Sequence, residues 1–124
     1  MIHVESIDDL RVTAYRHIAE PDQLRDLGLF VAEGRLVVRR LIDLQHWQIE
    51  SILVTQPAAD ALSDILPKTT APVYVGSQEL MNGLAGFNIH RGCLALVRRP
   101  ATPTLDRVAA GPLARILVLE GVNN

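Results

Sequence analysis

Lysine, cysteine and aromatic residues are nearly missing from this chain of 124 residues. Lys68 is the only lysine, Cys93 the only cysteine, and Phe, Trp and Tyr together make up 4%. One cysteine excludes an internal disulfide and fits a reducing compartment, so a cytoplasmic protein is expected. No run approaches the roughly 20 apolar residues needed to cross a bilayer. The start, Met1-Ile2-His3-Val4-Glu5, has neither the basic stretch nor the apolar core of a secretion signal. No membrane is therefore expected among the partners. An excess of one charge is missing too: 12 Lys plus Arg stand against 14 Asp plus Glu, a formal charge of −2. That balance excludes coating of nucleic acid by bulk charge and leaves only a local basic patch.

Catalytic constellations are absent as well. His3, His17, His46 and His90 are scattered, with no pair at metal-ligand spacing. His90 and Cys93 are three apart on an expected strand, point to opposite faces and cannot share an ion. There is no Gly-x-Ser-x-Gly elbow, no Gly-x-Gly-x-x-Gly loop and no Walker loop. Asp8 and Asp9 fit a helix start better than an acid/base pair. Cys93, between Gly92 and Leu94 in an apolar run, reads as core. No catalytic residue, metal site or cofactor site is expected in this chain.

What is present is a genuine core, 48% apolar residues in one small domain. The run Leu27 to Ala32 has the length and content of a strand covered on both faces. Gly34 gives the freedom to turn at once into a helix. There Val37, Val38, Leu41, Ile42 and Gln45 share one side, away from Arg35, Arg39, Arg40 and Asp43. Before it, Ser6 caps an expected helix through Leu10, Ala14, His17 and Ile18, which Glu20-Pro21-Asp22 breaks. After it come strands at Ser51–Val54, Pro72–Val75 and His90–Val97. Between them lie a helix from Gln56, with Ala58, Ala61, Leu62 and Ile65 buried, and one from Gln78 to about Leu84 capped by Ser77. Pro100-Ala101-Thr102-Pro103 reads as a linker, Leu105 to Ala110 as a last helix, and Arg115 to Glu120 as a last strand. Strands alternating with helices predict an α/β fold, a three-layer α/β/α sandwich.

Binding residues gather at two places. The Gly34 turn sets Arg35 beside the positive end of a helix, a geometry suited to anions. Arg35 and Arg39 lie one turn apart, and either a solvated face or an anion between them accounts for the pair. Asn88, His90 and Arg91 stand at the mouth of a strand, where a ligand role and simple exposure both remain open. Arg11 and Arg16 are weaker candidates because nothing fixes their direction. Phe87 could stack on a base, but a core contact is its expected use.

Phe30-Val31-Ala32-Glu33-Gly34 before an Arg/Val helix, Ser51-Ile52-Leu53-Val54-Thr55, Asn88-Ile89-His90-Arg91-Gly92-Cys93-Leu94-Ala95-Leu96, and Ile116-Leu117-Val118-Leu119-Glu120-Gly121-Val122-Asn123-Asn124 stand in that order. Together they resemble SpoU/TrmH-type RNA methyltransferases. The resemblance implies a ribosomal-protein-like substrate-binding domain over 1–100, gripping rRNA or tRNA. Residues 101–124 would then be a linker, a short helix and the first strand of a knotted SPOUT domain. In the family that second domain is usually a dimer, binds S-adenosylmethionine and methylates a ribose 2′-hydroxyl. The chain stops before the family's catalytic and cofactor motifs, so it is expected to be an inactive piece of a longer enzyme. Its expected RNA contacts are Gly34, Arg35, Asn88, His90 and Arg91. The alternative is a protein-interaction or dimerisation module that touches no nucleic acid, which the net negative charge favours. Such a module would show an apolar patch with a polar rim.

Overall fold

Side chains that alternate along each strand build a sheet with two apolar faces. The computed structural model describes residues 1–109, 115, 117 and 119–121. Five strands form the sheet: β1 (Ile2–His3), β2 (Leu29–Glu33), β3 (Ile49–Val54), β4 (Val73–Val75) and β5 (Cys93–Arg98). Their order is β1-β4-β3-β5-β2. Strand β4 is parallel to β1 and β3, whereas β5 runs antiparallel to both its neighbours, β3 and β2. Strands β1 to β4 therefore all point one way.

On one face Ala32, Ile52, Val54, Val73, Val75, Cys93, Ala95 and Val97 pack under two helices. These are α2 (Arg35–Leu44), through Val38, Leu41 and Ile42, and α3 (Gln56–Ala61), through Ala58 and Ala59. Leu29, Leu53, Tyr74, Leu94 and Leu96 point to the other face. There they meet α4 (Gln78–Ala85), the short helix α1 (Pro21–Asp26) and a 3-10 stretch, Thr13–Ala19. The architecture is the α/β/α sandwich that the alternation predicts. Helix α5 (Leu105–Ala109) follows the linker, with Thr104 Oγ1 accepting from Arg107 N–H at 3.4 Å.

Local chemistry reshapes the amino-terminal third. The expected helix from Ile7 is instead a chain of turns. Ser6 accepts from Asp8 N–H with its hydroxyl and from Asp9 N–H with its carbonyl, and Asp9 Oδ1 accepts from Arg11 N–H. Such short side-chain bonds compete with helix formation. Leu10 is left 86% exposed, while Val12 and Tyr15 are buried. Asp8 and Asp9 consequently start no helix. Pro21 begins α1 rather than only ending what precedes it, a position where its missing N–H is harmless. In α3 it is Ala59, not Ala61, that is buried beside Ala58.

The strands differ in extent. Strand β3 starts at Ile49, and a register shift between Ile49 and Ser51 bulges Glu50 out to pair with Arg98. Strand β5 starts only at Cys93, so His90 and Arg91 lie in the loop before it. Strand β2 is at the sheet edge rather than enclosed. There Arg99 donates from Nε to the Leu29 carbonyl at 2.8 Å, its guanidinium over the Phe30 ring. The two-residue β1 is too short for any periodic signal. Of the expected strand from Arg115 to Glu120, residues 116 and 118 lie outside the described residues, and the described Arg115, Leu117, Leu119 and Glu120 are exposed and in no strand.

Beneath the 3-10 stretch, the buried Tyr15 hydroxyl meets the buried Ser51 Oγ at 3.0 Å. Tyr15→Phe leaves Ser51 without that partner and should cost about 1–3 kcal/mol, whereas adding Ser51→Ala should recover part of it. Urea unfolding of the three variants checks this.

Candidate nucleic-acid interface

Because β1 to β4 share one direction, their carboxyl ends lie along a single edge of the sheet. The amino ends of α2, α3 and α4 and the amino end of β5 lie along that edge as well. Gly34 sits there with φ of 100°, a conformation open to glycine. Its N–H donates to the Cys93 carbonyl at 2.8 Å, and its own carbonyl accepts from Val38 N–H at 3.0 Å as α2 begins. A Cβ at Gly34 would stand 3.1 Å from Arg91 Cδ and 3.2 Å from its Nη1. The Arg91 side chain thus lies across the Gly34 turn. Arg35, the first residue of α2, follows Gly34 directly and is exposed. The two places that the sequence kept separate thus meet, Arg91 lying against the Gly34 turn from which Arg35 starts α2.

The loop before β5 is held from two sides. Gly92, with φ of 56°, has no room for a Cβ, which would lie 2.6 Å from Thr55 Oγ1. Thr55 N–H donates to the Gly92 carbonyl at 2.9 Å, tying the loop to the end of β3. From α4, Gln78 Nε2 donates to the Ile89 carbonyl at 2.6 Å and Asn82 Oδ1 accepts from Ile89 N–H at 2.8 Å. Ile89 is buried by this arrangement, and Asn88, His90 and Arg91 are exposed around it. Phe87, expected in the core, is 45% exposed in the same loop. Sequence reasoning placed it inside because aromatics are scarce, and no periodic signal exists in a loop to correct that.

Charge pairing separates the arginines. Arg11 pairs with Asp9, Arg16 with Asp8, Arg25 with Asp22 and Arg98 with Glu50. Arg39 turns from Arg35 to Asp64, with contacts of 2.6 and 2.8 Å, so no anion is needed between the two arginines. That contact holds the Asp64 carboxyl below its usual range. Arg11 likewise holds the Asp9 carboxyl down at about 2. Arg35 and Arg91 have no carboxylate within 4 Å among the described residues. Glu33, exposed, is the acid next to Gly34 in the chain. Further along the edge a cleft of about 400 Å³ opens between Val4, Val75, Gly76 and Ser77. No group of three His, Cys, Asp or Glu capable of holding a metal ion occurs among the described residues, and none of their helices is long and apolar enough to cross a membrane.

No protein-family model matches the chain. Over 121 residues it is 35% identical to an uncharacterized tRNA/rRNA methyltransferase of Mycobacterium bovis, covering 94% of this chain and 41% of that protein. Its fold superposes on an rRNA methyltransferase from Sinorhizobium meliloti with a TM-score of 0.63 at 16% identity, covering 82% of this chain and 38% of that one. It also superposes on the SpoU methyltransferase AviRb from Streptomyces viridochromogenes, with a TM-score of 0.56 at 18% identity over 82% and 37%. The chain resembles SpoU-type RNA methyltransferases. At these identities the structural likeness is one of fold. The chain spans about two fifths of the length of the curated relatives it matches.

Cys93 reports on this edge of the sheet. Burial pushes its thiol from 9.0 up to about 12, with Arg35 pulling weakly the other way. A neutral buried thiol contributes stability that is fully present below pH 9 and is lost as pH rises toward 12. Stability should therefore fall across that window, and Cys93→Ala should flatten the fall in alkaline urea titrations. Gly34→Ala should destabilise the fold by about 1–3 kcal/mol through its positive φ. It should also displace Arg91, visible as a shifted Arg91 Nε–H resonance.

Proposed function

We propose that this chain is the RNA-gripping portion of an S-adenosylmethionine-dependent RNA 2′-O-ribose methyltransferase. Its substrate would be rRNA or tRNA in the cytoplasm, with methyl transfer carried out by a part of the protein beyond these residues. The observation that carries the reading is the convergence at the Gly34 turn of Arg35 and Arg91, neither of which has a carboxylate partner among the described residues. An RNA phosphate supplies the missing charge, and Arg suits it through bidentate hydrogen bonds. The exposed Phe87 offers a face on which an unpaired base stacks. Contacts of this kind recognise folded RNA through phosphates and splayed bases.

S-adenosylmethionine itself does not fit this edge. Its sulfonium makes it cationic, and the edge is lined by two arginines and by amides. No methyl-transfer step is assigned to these residues, and none of them is a catalytic group. A homodimer, if formed, would belong to the part of the protein that holds the cofactor.

The second reading, a protein-interaction module, draws on a different surface. Leu36, Val37 and Leu44 of α2 are 84%, 45% and 48% exposed. An apolar stripe of this sort suits a partner protein.

Arg91→Ala should weaken binding of a labelled rRNA or tRNA transcript and reduce the slope of log K against log salt by about 0.7 to 0.9, one phosphate contact. Fluorescence anisotropy over a salt series measures both. An unchanged affinity and slope at low salt would remove Arg91 from the interface. A chain that ignores RNA, and whose self-association is abolished by Leu36→Ser, would favour the interaction module.

A further inference from the structure

The hydrogen bonds behind the Asn88 loop fix which end of the Asn88 side chain faces outward. Ile89 N–H is a backbone donor, so the Asn82 atom it reaches at 2.8 Å must be the oxygen. The same oxygen accepts from Gln78 Nε2 at 3.0 Å. Gln78 is oriented in turn by the Ile89 carbonyl, which can only accept, at 2.6 Å. With its oxygen committed, Asn82 presents its amide nitrogen to Asn88, and Asn88 Oδ1 accepts from it at 3.4 Å. Two backbone groups of known polarity thus set three side-chain amides in succession. The outcome is that Asn88 offers its NH2 group to solvent, in the same exposed loop as Arg91.

We infer that Asn88 is a dedicated donor to an RNA phosphate oxygen, and that Asn82 is the positioning residue that keeps it in that orientation. This rests on the RNA-gripping reading above and adds to it a polarity at one position. A phosphate oxygen can only accept, so an Asn88 held the other way round would present its carbonyl to a second acceptor and repel it. Asn82 lies on α4 and acts through Asn88.

The test is Asn82→Asp. The carboxylate keeps the acceptor for Ile89 N–H and Gln78 and removes the donor to Asn88. Asn88 can then turn and give its NH2 to Asp, leaving its carbonyl outward. RNA affinity should drop about tenfold, the loss of one hydrogen bond to a charged or strongly polar acceptor. The urea midpoint and the shift of the Ile89 amide should stay near those of the unaltered chain. Asn88→Ala should lose a similar amount. In the Asn88→Ala background, Asn82→Asp should cost little more, because its effect runs through the missing side chain. Added RNA should move the Asn88 side-chain NH2 resonances in the unaltered chain more than those of Asn82.

Full additivity of the two substitutions would overturn the inference, since it would make the effect one of added negative charge. Unchanged affinity in Asn82→Asp would also overturn it. If Arg91→Ala weakens RNA binding while both Asn variants bind normally, only this inference fails. If the unaltered chain binds no RNA, it falls together with the reading on which it rests.

Discussion

Two backbone hydrogen bonds hold the working edge of this domain together. Gly34 N–H reaches the Cys93 carbonyl, and Thr55 N–H reaches the adjacent Gly92 carbonyl, so the ends of β2 and β3 are fastened to the start of β5 between them. Each bond has a steric condition. Gly34 must have a positive φ and leave space for Arg91, and Gly92 must bring its backbone within reach of Thr55. These two glycines have no side chain to offer a ligand, yet they decide where Arg35, His90 and Arg91 stand. Binding groups on loops depend on such a rigid frame. The frame also relates two kinds of residue that lie far apart in the chain, the first turn of α2 and the loop after α4.

Electrostatics then acts by subtraction. A net charge of −2 gives no hint of a polyanion partner. Local ion pairs remove Arg11, Arg16, Arg25, Arg39 and Arg98 from the count of available cations. Exposed pairs of this kind contribute little to stability. Their effect on binding is larger, because each occupied guanidinium is one less competitor for an incoming phosphate. Among the arginines left without a carboxylate, Arg35 and Arg91 are the two that meet at the Gly34 turn.

Legibility in the sequence followed the source of order. Strands β3 to β5 were readable as short continuous apolar runs and helices α2 and α4 by their periodic burial, and Ser77 marked the start of α4 with a cap whose hydroxyl does accept from Leu80 N–H. The segment before α1 was not readable. There Ser6 and Asp9 bond to nearby backbone, and a turn chain of this sort leaves no periodic trace. The two-residue β1 exists through pairing with β4 and has no local signal either. In the candidate site the Gly34 turn and the loop around Arg91 were each legible from strand and turn chemistry, but their meeting was not, because nothing local sets β2 beside β5. The pairing of Arg39 with Asp64, 25 positions away, was not, nor was the amide succession of Gln78, Asn82 and Asn88. Those depend on which neighbours tertiary packing delivers.

The arginine at the outer rim of the sheet has an effect of another kind. Arg99 N–H pairs with the Gly28 carbonyl, so the next carbonyl, that of Leu29, is turned outward in the antiparallel ladder. Arg99 occupies that outward carbonyl and spreads its guanidinium across Phe30. An arriving strand would have to displace a charged donor before gaining its first rung. Growth of the sheet past β2 is thereby discouraged, and neighbouring molecules in a crowded solution are kept from stacking edge to edge.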